Sequence, residues 1–180
     1  MPDEIEIIRS VLAGDADSFR LLVQRYQRPV IRMITNIVND NYICEDIAQD
    51  VFLAAYRKLG YFDVARSSFS TWLFTIARNQ SINALRRIRR TSRQSVSESG
   101  DSSQPPDVLA QKEFFSRLDE ALQRLGVSQR TAFVLAEFEG LRYEEIAQIE
   151  GVRIGTIKSR INRAKKKLRL ALKDAEGEIL

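Results

Sequence analysis

Histidine is absent from the 180 residues, and Cys44 is the only cysteine. These absences exclude His-dependent catalytic triads, Cys/His zinc sites and an intrachain disulfide. No catalytic residue, metal or cofactor is expected. Long apolar runs are missing too: none approaches the roughly 18 residues a bilayer span needs. The start, Met1-Pro2-Asp3-Glu4, is acidic, unlike the basic start of a secretion signal. Membrane insertion is therefore not expected, and a cytoplasmic location is. What is present, 44% apolar residues, suits one or two small folded domains.

The formal net charge is only +4, so its distribution carries more information than its sum. From Val64 to Ser97 there is no acid, while Arg66, Arg78, Arg86, Arg87, Arg89, Arg90 and Arg93 accumulate. From Gly151 to Lys173 there is again none, with nine Lys or Arg. An acidic connector, with one basic and four acidic residues over 94 to 113, separates the two blocks. Each block is a candidate polyanion surface. Solvated helix faces are the plain alternative; membrane-surface binding is disfavoured because the neighbouring apolar residues read as core stripes.

The stretch Thr91 to Asp107 has one aliphatic residue among many Ser, Gly and Pro, so it cannot bury enough surface to offset the entropy of ordering. It reads as a flexible linker, 91–107. On either side the apolar spacing is helical: Phe19, Leu22, Val23, Tyr26 and Val30; Ile47, Val51, Ala54 and Ala55; Phe69, Trp72, Leu73 and Ile76; Phe115, Leu118, Ala121, Leu122 and Leu125. Asp17 is placed to cap one helix and Gly60 to end another. The expected fold is all-α: two helical domains, 1–90 and 108–180, on a tether.

From Ser128 the chain reads as a helix to Glu139, a turn at Gly140-Leu141, a short helix from Tyr143 to Glu150, a turn at Gly151-Val152, and a long helix from Ile154. That is helix-turn-helix spacing. Ile146, Ala147 and Ile149 supply the apolar side, with Val152 and Ile157 closing the turn over Leu135 and Phe138. On the long helix Lys158, Ser159, Asn162 and Arg163 project together and offer donors that read purine edges in a major groove. Thr156 and Arg160 sit beside them, better placed for phosphates, and Lys165 to Lys167 extend the surface. The pattern says DNA without stating a purpose, and a helical hairpin used only for protein contacts remains the alternative.

In the first domain, the helix Phe69 to Arg87 combines aromatics, amides and arginines, the mixture expected where bases are stacked out of a duplex. Phe69, Trp72, Leu73 and Ile76 have core spacing. Asn79 and Asn83 lie four apart on the polar side, where propensity favours Lys or Glu. Asp46, Gln49 and Asp50, with Glu45, form an acidic and amide stripe on the preceding helix that faces away from the basic block. It suits a partner protein with a positive surface, or is a solvated stripe.

Four motifs in order are specific: Glu45-Asp-Ile-Ala-Gln-Asp-Val-Phe-Leu-Ala-Ala-Tyr-Arg57, Phe69-Ser-Thr-Trp-Leu-Phe-Thr-Ile-Ala-Arg-Asn79, Tyr143-Glu-Glu-Ile-Ala147 and Gly155-Thr-Ile-Lys-Ser-Arg-Ile-Asn-Arg-Ala164. The chain resembles a bacterial sigma factor of the extracytoplasmic-function (ECF) family, over Asp3 to Leu172. The resemblance implies an RNA polymerase subunit, not an enzyme, that directs core polymerase to promoters and helps to open them. It implies that Asp46, Gln49, Asp50 and Phe52 dock on the polymerase clamp. It implies that the loop Asp63 to Ser68, with Thr71, Trp72, Arg78, Asn79, Asn83 and Arg86, reads the −10 element and holds a base turned out of the duplex. It implies that Thr156, Lys158, Ser159, Arg160, Asn162 and Arg163 read the −35 element. Core RNA polymerase, promoter DNA in duplex and melted form, and an anti-sigma factor are the implied partners, with a stress response as the setting. Three positions depart from the family pattern: Arg142 replaces a helix-capping Ser, a cap worth about 1 kcal/mol; Ala136 stands where some relatives carry a phosphate-binding Arg; and Gly126 replaces a common Pro.

Two elements separated by about 16 base pairs lie about 55 Å apart at roughly 3.4 Å per pair. About 17 linker residues average near 23 Å as a free coil and reach about 58 Å when extended. Polymerase binding is thus expected to stretch the linker, and the free chain to bind promoters weakly. A stand-alone dimeric helix-turn-helix regulator is the runner-up. A metal-dependent nuclease ranks last, because in the sequence the acids avoid both basic blocks.

Overall fold

The computed structural model describes residues 3–91 and 109–176. Eight helices are present among them: α1 Glu4–Leu12, α2 Phe19–Val38, α3 Asn41–Lys58, α4 Phe69–Thr91, α5 Leu109–Gln123, α6 Val127–Glu137, α7 Tyr143–Glu150 and α8 Ile154–Glu176. The described residues contain no strand, as the all-α expectation requires. No helix among them is long and apolar enough to cross a membrane. The expected linker 91–107 lies outside the described residues except for Thr91, the last residue of α4.

The N-terminal half is built on α2. Its Leu22, Val30, Met33, Ile34 and Ile37 are fully enclosed, on the three- and four-residue spacing of one helix face. Against it pack Val51 and Ala55 of α3 and Leu73 and Ala77 of α4. The short α1 is stapled on by Glu4, which accepts hydrogen bonds from Arg25 Nη1 at 3.0 Å and from the Tyr26 hydroxyl. Burial first, and then the Glu4 carboxylate, push the Tyr26 phenol well above its ordinary range.

Two helix ends differ from the sequence expectation. Asp15, not Asp17, is the capping residue: its carboxylate accepts from Ser18 N at 3.4 Å and Ser18 Oγ at 2.6 Å, and a single 3-10 turn precedes α2. The acceptor sits three residues before the donor, which places the cap two residues earlier than hydrophobic spacing suggests. The second helix stops at Lys58, and Gly60 lies in a following 3-10 turn, Leu59–Tyr61.

In the C-terminal half α8 is the spine. Ile157, Ile161, Ala164 and Leu168 face inward, the first three fully buried. The upper part meets α6 and α7; the lower part closes on Ala121, Leu122 and Leu125. Arg130 of α6 is buried and donates to Leu122 O, Gln123 O and Gln123 Oε1, tying down the carbonyl end of α5. Phe138, expected under the turn, is exposed.

The two halves are docked on each other. α6 lies along α2 and α7 along α4. Ala132, Leu135, Ile146 and Ile149 join the same apolar cluster as the α2 and α4 residues. The slack pair of modules expected from the sequence is therefore a joined pair. Short polar linkers say nothing about whether the faces they connect have exposed apolar stripes to bury against each other.

Candidate nucleic-acid interface

The helix-turn-helix is built by local chain chemistry. Gly151 adopts φ 64°, the left-handed conformation that ends α7, and Val152 N then bonds to Ala147 O at 3.1 Å. At the other end of α7 the cap that Arg142 cannot supply comes from inside the helix. Glu145 Oε2 accepts from Arg142 N at 3.0 Å and from Arg142 Nε at 3.3 Å. This is the reverse half of a capping box, with the carboxylate reaching back.

On α8, Thr156, Lys158, Asn162 and Arg163 are exposed on one side, with Ser159 half-buried at the edge. The grouping expected from the sequence is therefore present. Arg160 is different: its Nη1 is 2.9 Å from Glu150 Oε2, and its side chain is half-buried. It is committed to a protein carboxylate rather than offered to a phosphate. Further along, Asn162, Lys165, Lys166, Arg169, Leu170 and Lys173 line a cationic groove of about 480 Å³. Arg169 and Lys173 were not among the expected site residues, although the acid-free run contains both.

In the first half, Asp63 shapes its own loop. Its carboxylate accepts from Ala65 N at 2.9 Å and pairs with Arg66 Nε at 3.2 Å. Ser68 precedes α4, and its Oγ accepts from Thr71 N at 3.2 Å, a conventional N-cap. Thr71 is buried, and Trp72 is half-buried in an aromatic group with Phe62 and Phe69 at centroid distances of 5.4 and 5.7 Å. Both are held by the fold rather than presented freely. Asn79, Asn83 and Arg86 are exposed along α4, as expected. Two apolar residues of the loop that sequence spacing did not single out, Tyr61 and Val64, are 86% and 58% exposed. The only sequence signal for Tyr61 is an aromatic next to a glycine outside any helical period.

On α3, Asp46, Gln49 and Asp50 are exposed, but Phe52 is 9% exposed and belongs to the core. Leu53 and Tyr56, on the exposed side, are the apolar residues available beside the stripe. The stripe does not face away from the arginines. Asp46, Asp50, Arg87 and Arg90 line one groove of about 590 Å³, with Ile43, Ile47, Ala84 and Ile88 as its floor. Antiparallel neighbours α3 and α4 bring together charges that lie some forty residues apart in sequence.

The acids also do not avoid the basic blocks in space. Glu150, whose side chain is 5% exposed, pairs with Arg78 Nε at 3.3 Å as well as with Arg160. Glu145 Oε1 accepts from Ser68 Oγ at 3.3 Å and Thr71 Oγ1 at 3.4 Å. Gln148 Nε2 donates to Arg66 O at 3.3 Å. On the far side Arg32 and Glu139 pair at 2.8 Å, linking α2 to the end of α6. Among the described residues no group of His, Cys, Asp and Glu could hold a metal ion.

Comparison with known proteins agrees with this geometry. A model of sigma-70 region 2 matches residues 22–91, and one of sigma-70 region 4 matches residues 115–168. The chain is 35% identical to the RNA polymerase sigma-H factor of Pseudomonas aeruginosa, across 93% of this chain and 92% of that one. It is 30% identical to the ECF RNA polymerase sigma factor SigW of Bacillus subtilis, across 93% and 95%. It is 34% identical to the ECF sigma-E factor of Escherichia coli K12, across 88% of each. Among solved structures, the sigma factor RpoE in complex with the anti-sigma factor NepR from Bartonella quintana superposes with a TM-score of 0.71 at 30% identity, covering 86% of this chain and 96% of that one. CnrH in complex with the cytosolic domain of CnrY gives 0.67 at 27%, covering 94% and 96%. With both regions present in that order, and ECF sigma factors matched over about nine-tenths of their length, the chain belongs to the ECF RNA polymerase sigma factors.

Proposed function

We propose that this sigma factor binds core RNA polymerase through α3, places α8 on the −35 element and uses α4 with its preceding loop to hold melted −10 DNA. The domain division is 1–90 for the first task and 108–180 for the second. The observation that carries the reading is the exposed row Lys158, Asn162 and Arg163 on a helix whose opposite face is fully buried. Such a helix can enter a major groove without disturbing its own core.

The geometry supports several assignments. Asp46, Gln49 and Asp50 form the polar part of the polymerase contact, with Leu53 and Tyr56, rather than Phe52, as its apolar part. Asn79, Asn83 and Arg86 meet the DNA directly. Thr71 and Trp72 shape the pocket from behind, Asp63 and Ser68 fix its loop and α4, and Tyr61 supplies an exposed ring on which a base can stack. An anti-sigma partner fits the superposed RpoE, which is held by the anti-sigma factor NepR. A cytoplasmic site of action accompanies the polymerase partner.

The test is transcription in vitro with purified core polymerase and a genomic fragment library. Initiation at new, discrete start sites that depends on the added chain supports the proposal. Core polymerase whose start sites do not change on addition of the chain overturns it. A dimeric regulator would instead protect palindromic duplexes without polymerase.

A further inference from the structure

The polar residues of α7 that reach the N-terminal half are acidic or amide, and they touch the loop and the side of α4 that support the surface assigned above to melted DNA. Glu145 holds Ser68 and Thr71, Gln148 holds the Arg66 carbonyl, and Glu150 holds Arg78. They are spaced so that one helix covers both the loop and the start of α4. Glu150 also holds Arg160 of α8, so one carboxylate, almost wholly out of solvent, joins an arginine of α4 to one of the helix-turn-helix. A carboxylate on an arginine offers the same acceptor geometry as a phosphate oxygen.

We infer that α7 is a built-in competitor for single-stranded DNA: in the free chain, Glu145 and Glu150 take the positions of strand phosphates on the −10 surface and hold the two halves closed. This rests on the function proposed above and adds its regulation. Arg86 is exposed in the closed chain, so the arginine that becomes available only when α7 leaves is Arg78. The closing contacts are polar and paired, yet they are backed by a continuous apolar seam from Leu135, Ile146 and Ile149 to the α2 and α4 core. Closure thus uses the same apolar burial as the fold, and the ion pairs fix its register. Arg32 and Glu139 close the opposite edge, and the Glu139 side chain is only 7% exposed. Removing Arg32 leaves a buried carboxylate without its cation, which favours opening.

The experiment uses the full chain, a fluorescein-labelled random-sequence single-stranded DNA 15-mer, and small-angle scattering of the same samples. Glu150→Gln and Arg32→Gln should each bind the oligonucleotide about five- to tenfold more tightly than the parent, since apparent affinity scales with the open fraction. Each should also show a larger radius of gyration. Glu144→Gln is the charge control: Glu144 lies on the same helix but is exposed, so it should stay within about twofold. Tighter binding without expansion, expansion without tighter binding, no change in either, or an equal gain for Glu144→Gln overturns the inference. Should Glu150→Gln fail to fold, as judged by circular dichroism, Arg32→Gln decides alone, because it alters neither the helix-turn-helix nor the −10 surface. Failure here with start-site selection intact in the transcription assay removes only the competitor; loss of start-site selection by the parent removes the proposed function.

Discussion

Glu145 shows how one side chain can serve local structure and long-range contact together. Burial works against its charged form, but the Arg142 amide and guanidinium and the Ser68 hydroxyl outweigh it and hold the carboxyl below its usual range. A group whose folded pKa is depressed contributes stability that is present above its unfolded value, about 4.3, and lost as pH falls through the folded one. Glu145→Gln should therefore lower the melting temperature relative to the parent at pH 6, and the gap should shrink towards zero near pH 3. A gap that is constant across this range in thermal denaturation would show that the charge contributes nothing. The cap itself accounts for about 1 kcal/mol of the loss at pH 6. The family resemblance identified the missing cap at Arg142, yet the substitute three residues on was not recognised, because a Glu in a first turn has many possible partners. Glu150 was less accessible still: Arg78 lies 72 residues away, and no periodicity reports such a pairing.

At the scale of helices, what was legible in the sequence was what the chain decides locally. The bounds of α7 and the turn at Gly151 follow from a positive φ and a run of apolar residues at helical spacing. The outward row on α8 follows from the inward row, Ile157, Ile161, Ala164 and Leu168, which fixes its rotation. Rotation relative to neighbours was not legible, so Phe52 was expected outside and is inside. Arg160, expected at a phosphate, is paired with Glu150. Arg163 and Asn79 carry predictions at this scale because each is exposed on a helix fixed by its opposite face. Arg163→Ala should weaken discrimination among single-base −35 variants by about 1 to 3 kcal/mol, measured as relative initiation rates with polymerase; unchanged preference excludes a base-reading role. Asn79→Ala should slow open-complex formation on duplex templates, while templates with a pre-melted −10 segment recover most of the rate. Equal slowing on both would assign Asn79 to binding rather than to strand separation.

For the whole molecule, the docking of α7 on α4 and of α6 on α2 sets a thermodynamic constraint. Glu150 ties α4 to α8, the two helices proposed to read DNA, whereas promoter elements about 16 base pairs apart would hold their readers about 55 Å from each other. The closed arrangement cannot serve both, so every productive partner must bind the open one. Ligands that select the same minor state share its cost equally: each has its apparent affinity reduced by the same open fraction. A mutation that only loosens closure must then tighten all of them by one common factor. Arg32→Gln is suited to this, since Arg32 belongs to α2 and Glu139 follows α6, so neither is part of α3, of the −10 loop or of α8. The factor by which it tightens random single-stranded DNA should match, within about twofold, the factor by which it tightens core RNA polymerase, read by fluorescence titration at one salt concentration. A gain confined to DNA would mean that polymerase engages the closed chain through α3 and opens it afterwards, with the two modules separated by a later step than binding.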